Sequence, residues 1–167
     1  FNSNFPENTN YLLKIDSEGN EIWNKTIGSV ASNNILYSVL QTNDGSYIMT
    51  GFHTSASNSE RNVWLVKTNS QGDVDWSQMG VVGTGQDTKQ TQDGGFITTG
   101  YEYPNVLLHK TNAQGQIEWS KSYIGGGNNY GKSVQETEDG GFIITGYTDC
   151  CGGWQAFLIK TDSGGNT

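Results

Sequence analysis

The feature that most constrains this chain is a nine-residue stretch in which an Asp-Gly turn leads directly into a strand. It occurs three times, as Asp44–Phe52, Asp93–Tyr101 and Asp139–Tyr147. The third copy reads Asp-Gly-Gly-Phe-Ile-Ile-Thr-Gly-Tyr, and the others keep the Asp-Gly pair, the apolar run and the Thr-Gly-aromatic ending. Self-similarity at this spacing indicates a chain of repeated supersecondary units, each of which buries its apolar face against a neighbour.

A second repeated element interlocks with the first. It is an apolar run, then a turn containing Gly, then a Trp four residues after that Gly. It occupies Tyr11–Trp23, Trp64–Trp76 and Leu107–Trp119, and returns, cut short, at Phe157–Thr167. Each apolar run has the length and composition of a strand, and its turn glycine suits a tight hairpin. We place these turn glycines at Gly19, Gly72, Gly115 and Gly164. Helical periodicity appears nowhere, so the sequence predicts an all-β protein.

Matched positions give the length of one unit, since Gly51, Gly100 and Gly146 are separated by 49 and 46 residues. A period in this range, with four short strands per unit, is typical of β-propeller blades. We expect one domain, 1–167, made of four-stranded antiparallel blades: a partial repeat 1–28, repeats 29–80 and 81–125, and an incomplete repeat 126–167. The incomplete repeat is expected to contain strands at Gly131–Thr137, Phe142–Thr148 and Ala156–Thr161. The chain thus supplies about three and a half repeats, and a propeller ring would be incomplete in one chain.

Two families resemble these repeats. The segments Gly19-x-x-x-Trp23, Gly72-x-x-x-Trp76 and Gly115-x-x-x-Trp119 are similar to the tryptophan-docking repeats of quinoprotein-like propellers, although the turn is one residue shorter. More closely, the Asp139–Tyr147 stretch followed by Phe-Leu-Ile-Lys-Thr-Asp-Ser-x-Gly-Asn resembles the secreted repeat β-propellers of bacteria and archaea. This resemblance covers Tyr11 to Thr167. It implies a propeller fold with more blades than this chain supplies and an extracellular or cell-surface location, but it says little about function, because propellers host many activities.

Composition excludes several classes of function. Seventeen acidic residues against nine basic residues give a net charge of −8, whereas nucleic acids and anionic membranes require a basic surface. No apolar run approaches the length that crosses a bilayer, so we expect no membrane insertion. With two histidines there is no cluster of metal ligands, and no catalytic constellation is recognisable. We therefore expect no metal, no cofactor and no enzymatic activity.

The adjacent pair Cys150 and Cys151 is the one unusual chemical feature. Such a pair forms a strained ring disulfide, bridges to another chain, or remains as two thiols. In a secreted protein the oxidised form is favoured, and Gly152-Gly153 gives the backbone freedom to accommodate it. We expect the two cysteines to be bonded to each other as a rigid plug beside Trp154. Some quinoprotein dehydrogenases carry such a disulfide against their cofactor, so a fragment of a quinone-dependent dehydrogenase stays open as a remote alternative.

The connections between predicted strands divide into uniform turns and variable loops. The variable ones fall at two places in each unit, and in an antiparallel four-stranded blade both places lie on one face. They are His53–Asn62, Glu102–Asn105 and Asp149–Gln155, together with Gly28–Leu36, Gly80–Gly85 and Gly125–Tyr130. Variable loops on a rigid scaffold are where binding usually occurs, although unselected variation is an equally good explanation.

We therefore expect a non-enzymatic extracellular interaction module that binds protein or glycan through the variable-loop face. Aromatic and amide side chains suit stacking on sugars and hydrogen bonding to them. The candidate contacts are Asn33, Asn34, His53, Arg61, Tyr101, Tyr103, Asn128, Asn129, Tyr130 and Trp154. The alternative is a structural subunit whose half-units are completed by edge strands of neighbouring copies, as a closed assembly or a filament.

Other repeated residues are expected to be structural. Lys14, Lys67, Lys110 and Lys160 recur at one strand position, where the stem is predicted to lie on apolar neighbours and the ammonium to pair with a turn carboxylate. Trp23, Trp76 and Trp119 are predicted to pack between units. His109 replaces an aliphatic residue of the other copies, and we expect a core or interface histidine with satisfied nitrogen atoms.

Overall fold

The computed structural model describes residues 9–29, 33–54, 59–123, 125–150 and 152–167. These residues form thirteen β-strands and no helix, and therefore contain no helix that could cross a membrane. The strands are β1 Asn10–Ile15, β2 Glu21–Ile27, β3 Asn33–Gln41, β4 Tyr47–Thr54, β5 Arg61–Thr68, β6 Val74–Val82, β7 Thr84–Gln90, β8 Phe96–Glu102, β9 Asn105–Thr111, β10 Ile117–Tyr123, β11 Asn129–Glu136, β12 Phe142–Thr148 and β13 Gln155–Thr161.

The strands form four antiparallel sheets in chain order. The first sheet holds β1 and β2, the second β3 to β6, the third β7 to β10 and the fourth β11 to β13. Every strand pairs with its sequence neighbour, and none of the four sheets is closed. The predicted all-β class and the predicted two, four, four and three strands per unit are confirmed.

The sheets pack face to face, each against its neighbours in the chain. The first strand of a sheet lies against the preceding sheet, since β7 contacts β3, β4 and β5, and β11 contacts β7, β8 and β9. Apolar side chains fill the spaces between sheets. Between the third and fourth sheets these are Ile97, Val106, Leu108, Val134, Phe142 and Ile144; around the second sheet they are Ile27, Met49, Trp64 and Val66.

Asp87 on β7 links the first strands of three consecutive sheets. Its carboxylate accepts hydrogen bonds from the Ser38 hydroxyl on β3 at 3.1 Å and from the Ser133 hydroxyl and the Val134 backbone N–H on β11, both at 3.2 Å. Lys89 forms an ion pair with it at 2.9 Å. Asp87 is nearly buried, and a buried carboxylate is stable only when it is paired and hydrogen-bonded. The first strands are thereby held next to one another.

The Asp-Gly turn is stabilised in the same way in all three copies. In the third sheet, the Thr91 hydroxyl and the Gly95 backbone N–H both donate to Asp93 Oδ1, at 2.5 and 2.9 Å. The other two turns repeat both bonds. The strand lysine adds an ion pair to the same carboxylate, with Lys67–Asp44 at 3.3 Å and Lys110–Asp93 and Lys160–Asp139 at 2.8 Å. The predicted lysine-to-turn pairing is confirmed for these three; Lys14 instead lies within 6.0 Å of the ring centroids of Trp23 and Tyr47.

The Gly of each Thr-Gly-aromatic ending lies opposite a β-bulge in the first strand of its sheet. The pairing of β7 with β8 shifts register between Gly85 and Asp87, and Gly100 faces Gly85. A Cβ on Gly100 would lie 1.8 Å from the Thr84 carbonyl oxygen, and Gly51 and Gly146 are equally crowded by Ile35 and Tyr130. Only glycine fits such a close approach of two backbones, which explains why this residue recurs in every copy.

Each recurring Trp packs on the turn glycine of the next sheet. A Cβ on Gly72, Gly115 or Gly165 would lie 2.7–2.8 Å from the ring of Trp23, Trp76 or Trp119, respectively. The same rings contact Tyr47, Phe96 and Phe142 of the next sheet, with centroid distances of 5.7–6.0 Å. Packing between units, as predicted for these residues, is confirmed. The predicted turn glycine Gly164 is wrong, because Gly165 has the positive φ of 74° and donates the turn hydrogen bond to Asp162.

Candidate binding site

The two classes of variable connection meet at one end of the sheets. The Asn128 backbone N–H and side-chain amide both donate to the Asp149 carboxylate, at 2.6 and 2.8 Å, which joins the loop before β11 to the loop after β12. These bonds lower the pKa of Asp149. The Asn129 amide donates to the Pro104 carbonyl at 2.8 Å, and its backbone N–H donates to the same oxygen at 2.9 Å. The loops of the third and fourth sheets are therefore tied together by hydrogen bonds that do not involve their aromatic residues.

Five aromatic side chains form a continuous cluster at this end, hereafter the aromatic cluster. Tyr101 contacts Tyr103 and Tyr130, with centroid distances of 4.7 and 5.2 Å. Tyr130 also contacts Tyr103 at 5.5 Å and Tyr147 at 4.9 Å. Trp154 completes the cluster, 5.0 Å from Tyr147 and 6.1 Å from Tyr130. The cluster thus unites four of the predicted contacts, namely Tyr101, Tyr103, Tyr130 and Trp154.

Tyr147 belongs to the cluster although it was not among the predicted contacts. It lies in the same repeated Thr-Gly-aromatic ending as Tyr101. Its cross-strand partner is Tyr130 on β11. The ammonium nitrogen of Lys132 lies 5.4 Å from the centroid of the Tyr147 ring. Superposing the repeats would have found it, because Tyr147 is the counterpart of the predicted Tyr101.

The outer members of the cluster are open to solvent. Trp154 is 66% exposed and Tyr103 is 56% exposed, whereas Tyr101, Tyr130 and Tyr147 are half-buried beneath them. Partial burial and the hydroxyl groups of Tyr130 and Tyr101 raise the pKa of Tyr103 above its ordinary value. The phenol therefore stays protonated at neutral pH and can both donate and accept hydrogen bonds.

A cleft and a groove adjoin different members of the aromatic cluster. The cleft has a volume of about 280 Å³ and is lined by Tyr147, Trp154, Gln155 and Ala156. The groove has a volume of about 290 Å³ and includes Tyr101 and Tyr103 together with three charged residues, Glu60, Arg61 and Glu102. The two recesses therefore differ in charge, because none of the described residues that line the cleft is ionised.

Arg61 is positioned by an aromatic ring. Its guanidinium carbon lies 4.3 Å from the ring centroid of Phe52, a distance typical of a cation–π contact. Phe52 also contacts Tyr37 at 6.1 Å. Burial and the neighbouring Tyr101 raise the pKa of Tyr37. Aromatic residues therefore continue from the cluster to the second sheet, and Arg61 lies between the two groups.

The predicted amide and histidine contacts are not part of the cluster. Asn128 and Asn129 stabilise the loops, as described above, and Asn34 is buried. Asn33 pairs with Thr54 at the end of β3 and β4, where it is exposed. His53 is half-buried against Trp64, with a ring centroid distance of 6.4 Å. Of these residues, only Asn33 has an exposed side chain.

The predicted disulfide involves one residue outside the described part of the chain, Cys151. The Cys150 sulfur is half-buried, has no disulfide partner among the described residues, and lies 3.8 Å from Gln155 Oε1. The bond between the two cysteines stays a prediction. Residues 30–32 and 55–58 of the predicted variable loops, and residue 124, also lie outside the described residues.

His109 is a core residue, but its predicted hydrogen bonds are not found. It is fully buried on β9, and neither ring nitrogen has a hydrogen-bond partner in the described part of the chain. Nε2 lies 2.9 Å from the position of a Cβ on Gly80, so the ring fills space beside a glycine. Desolvation lowers the pKa of His109 to about 4, so the ring is neutral at physiological pH. The histidine substitutes for the aliphatic residue of the other repeats as a packing element.

Across the described ranges, no group of three or more His, Cys, Asp or Glu side chains is arranged to hold a metal ion. A comparison of the chain with models of known protein families and with curated proteins finds no match. The function must therefore be inferred from the geometry of this face.

Proposed function

We propose that this protein is a non-enzymatic, extracellular or cell-surface interaction module, built from β-propeller-type blades, that binds protein or glycan through the variable-loop face. The observation that carries the proposal is the aromatic cluster. Side chains from two successive sheets converge there, and its outermost members, Tyr103 and Trp154, are exposed. Exposed aromatic residues grouped on a rigid scaffold mark interaction sites, because isolated ones are ordinary but contiguous patches are not.

The packing of the sheets supports the propeller-type arrangement. Four-stranded units follow one another in chain order, and each begins with a strand that lies against the preceding unit. Asp87 holds β3, β7 and β11 side by side. In a propeller the first strands of the blades surround a common axis and lie next to one another. The adjacent strands β3, β7 and β11 fit that arrangement.

The chemistry of the cluster favours binding over catalysis. Its members are four phenols and an indole, and a phenol is protonated at neutral pH because its ordinary pKa is about 10. Such groups stack and form hydrogen bonds, but they do not exchange protons readily at neutral pH. The nearby carboxylate of Asp149 is occupied by Asn128, and Arg61 is stacked on Phe52.

The experiment is a comparison of the wild-type protein with a Tyr103→Ala/Trp154→Ala variant on an array of glycans and extracellular proteins. We expect at least one ligand whose signal falls tenfold or more in the variant. Both substituted residues are largely exposed, so the melting temperature should change little. An Ile117→Ala variant, which truncates an exposed apolar residue on β10, should bind as the wild type does. Equal signals from the wild-type protein and the double variant would contradict the proposal.

A second candidate function is a structural subunit completed by other copies of the chain, and Leu158 favours it. Leu158 is 68% exposed on β13, whereas its counterparts Leu65 and Leu108 are 1% and 0% exposed between sheets. At the opposite end, the first sheet exposes Leu13 and Ile15. These two faces correspond to the two sides of one internal contact, so a copy can stack on the next in a heterologous, head-to-tail manner.

Sedimentation measured over a hundredfold range of concentration tests this second candidate. We expect the wild-type protein to form oligomers or filaments as its concentration rises, and Leu158→Asp to remain monomeric because a carboxylate cannot be buried in that contact without a partner. A wild-type protein that stays monomeric throughout would contradict it. A monomeric protein could still bind a ligand through the loop face, so this result would not contradict the first proposal.

A further inference from the structure

The cleft beside Trp154 has the features of a site for one sugar ring. We infer, resting on the proposed binding function of the loop face, that it binds a neutral pyranose unit of an oligosaccharide. The sugar ring would lie flat on either Trp154 or Tyr147 and meet the other at its edge, and its hydroxyl groups would form hydrogen bonds with Gln155. The inference depends on the geometry of the two aromatic rings, on the charge of the cleft and on its size.

The two aromatic rings form a corner. Their planes meet at 84°, with centroids 5.0 Å apart. One ring can therefore lie flat against a ligand while the other meets the ligand at its edge. A pyranose in its chair form presents a face of C–H bonds and a rim of hydroxyl groups, so it complements a corner of this kind. The exposed indole loses little freedom on binding, because a Trp side chain has only two torsions.

The lining of the cleft is uncharged. Tyr147, Trp154, Gln155 and Ala156 surround it, and the Gln155 amide supplies donors as well as an acceptor. An ionised ligand would lose its hydration without meeting an opposite charge among these four residues, which is costly. The Lys132 ammonium lies 5.4 Å from the Tyr147 ring centroid, but it is not part of the lining and donates a hydrogen bond to Gln86 Oε1 at 2.6 Å. The groove beside Tyr101 and Tyr103 is lined by Glu60, Arg61 and Glu102, and so it is charged. The cleft therefore selects an uncharged ligand that is rich in hydroxyl groups.

The size of the cleft favours a ring over an extended peptide. Its volume of about 280 Å³ and its four lining residues provide one subsite. An extended peptide is instead recognised along its length, by main-chain hydrogen bonds with alternate pockets or by a series of aromatic ridges. The remaining aromatic residues, Tyr130 and Tyr103, continue from the corner, so the next sugar unit of a chain would meet another ring.

The test uses the whole chain and three neutral probes, cellohexaose, xylohexaose and mannohexaose, with an acidic oligosaccharide and a proline-rich peptide as comparison probes. Binding is followed by calorimetry and by the intrinsic fluorescence of tryptophan. We expect at least one probe to bind and its affinity to fall tenfold or more in Trp154→Ala, with a smaller loss in Trp154→Phe, which keeps an aromatic face. Ile117→Ala is the control, because it truncates an exposed apolar residue on β10, outside the cleft, and it should bind as the wild type does.

Other outcomes overturn the inference in distinguishable ways. If a saccharide binds equally well to Trp154→Ala but is lost in Tyr103→Ala or Arg61→Ala, the loop face binds ligand at the charged groove and the cleft assignment fails alone. If only an acidic saccharide or a proline-rich peptide binds, the neutral-sugar class is wrong while the binding function stands. If none of the saccharides or peptides binds, and the array also shows no ligand, both the inference and the proposed function fail.

Discussion

Replacing Gly100 with Ala should destabilise this protein far more than the addition of one methyl group to a strand usually does. The new Cβ would lie 1.8 Å from the Thr84 carbonyl oxygen and 2.9 Å from the carbonyl carbon. Carbon–oxygen contacts are normally about 3.3 Å or longer, so one of the two strands must move by more than an ångström. The obstacle is backbone, which no side-chain rotation relieves.

The expected loss in the free energy of unfolding is about 3 kcal/mol or more, the upper part of the range for overpacked sites. For a chain of this length, that corresponds to a fall in melting temperature of roughly 6–12 °C. Circular dichroism followed during heating, together with urea unfolding, measures both quantities. Gly146→Ala should behave in the same way, since its Cβ would lie 1.9 Å from the Tyr130 carbonyl oxygen.

Gly94→Ala is the matched control in the same sheet. Gly94 has a φ of +83° but nothing within 4 Å of its Cβ position, so its substitution adds only the strain of a left-handed residue, about 1 kcal/mol. Gly100→Ala should therefore be the more destabilising of the two by about 2 kcal/mol. If the melting temperature of Gly100→Ala equals or exceeds that of Gly94→Ala, the two backbones are not held as closely at the bulge as they are in the structure.

Three further predictions concern other parts of the chain. Because burial lowers the pKa of His109 from 6.5 to about 4, the unfolded chain binds the proton first, so stability should fall by up to about 3 kcal/mol as pH drops from 6.5 to 4; His109→Leu should flatten that part of a pH series of urea unfolding, and an unchanged slope would refute the assignment. Trp119→Ala should cost about 3 kcal/mol, since the half-buried ring packs on the next sheet, whereas Trp154→Ala should leave the melting temperature nearly unchanged; similar melting temperatures for the two variants would contradict the distinction. Mass spectrometry without reductant should find Cys150 and Cys151 bonded within one peptide, and two alkylatable thiols would refute the prediction.

The parts of the fold that depend on local sequence were predictable. An Asp-Gly turn that leads into a β-rich run specifies a hairpin whichever unit contains it, so the all-β class and the strands of each sheet could be predicted from repetition. The ion pair between the strand lysine and the turn aspartate was predictable for the same reason. Lys110 and Asp93, for example, are brought together by adjacent strands of one sheet. The register error at Gly164 was avoidable from the sequence. Gly19, Gly72 and Gly115 each lie five residues after the repeated lysine of their unit, and Gly165, not Gly164, lies five residues after Lys160.

The candidate site was predictable only in part, because it depends on contacts between sheets. Asn128 and Asn129 have the side chains of ligand contacts, but their amides hold the loops together. His109 was expected to find hydrogen-bond partners and instead fills a space beside Gly80. These outcomes are determined by which residues of the neighbouring sheet face the side chain, and a sequence pattern within one repeat does not contain that information.

The aromatic cluster combines aromatic residues that recur at one position of the second, third and fourth sheets with aromatic residues that have no aromatic counterpart in the other repeats. Phe52, Tyr101 and Tyr147 follow the crowded glycine in each sheet, so an aromatic ring at that position belongs to the scaffold. Tyr130, however, occupies the place of Ile35 and Thr84 in the other sheets, and Trp154 and Tyr103 lie in loops of different length. If packing alone required an aromatic residue at these positions, the other repeats would carry one too. The departures from the repeat therefore extend a structural row of rings into an exposed aromatic surface on the third and fourth sheets.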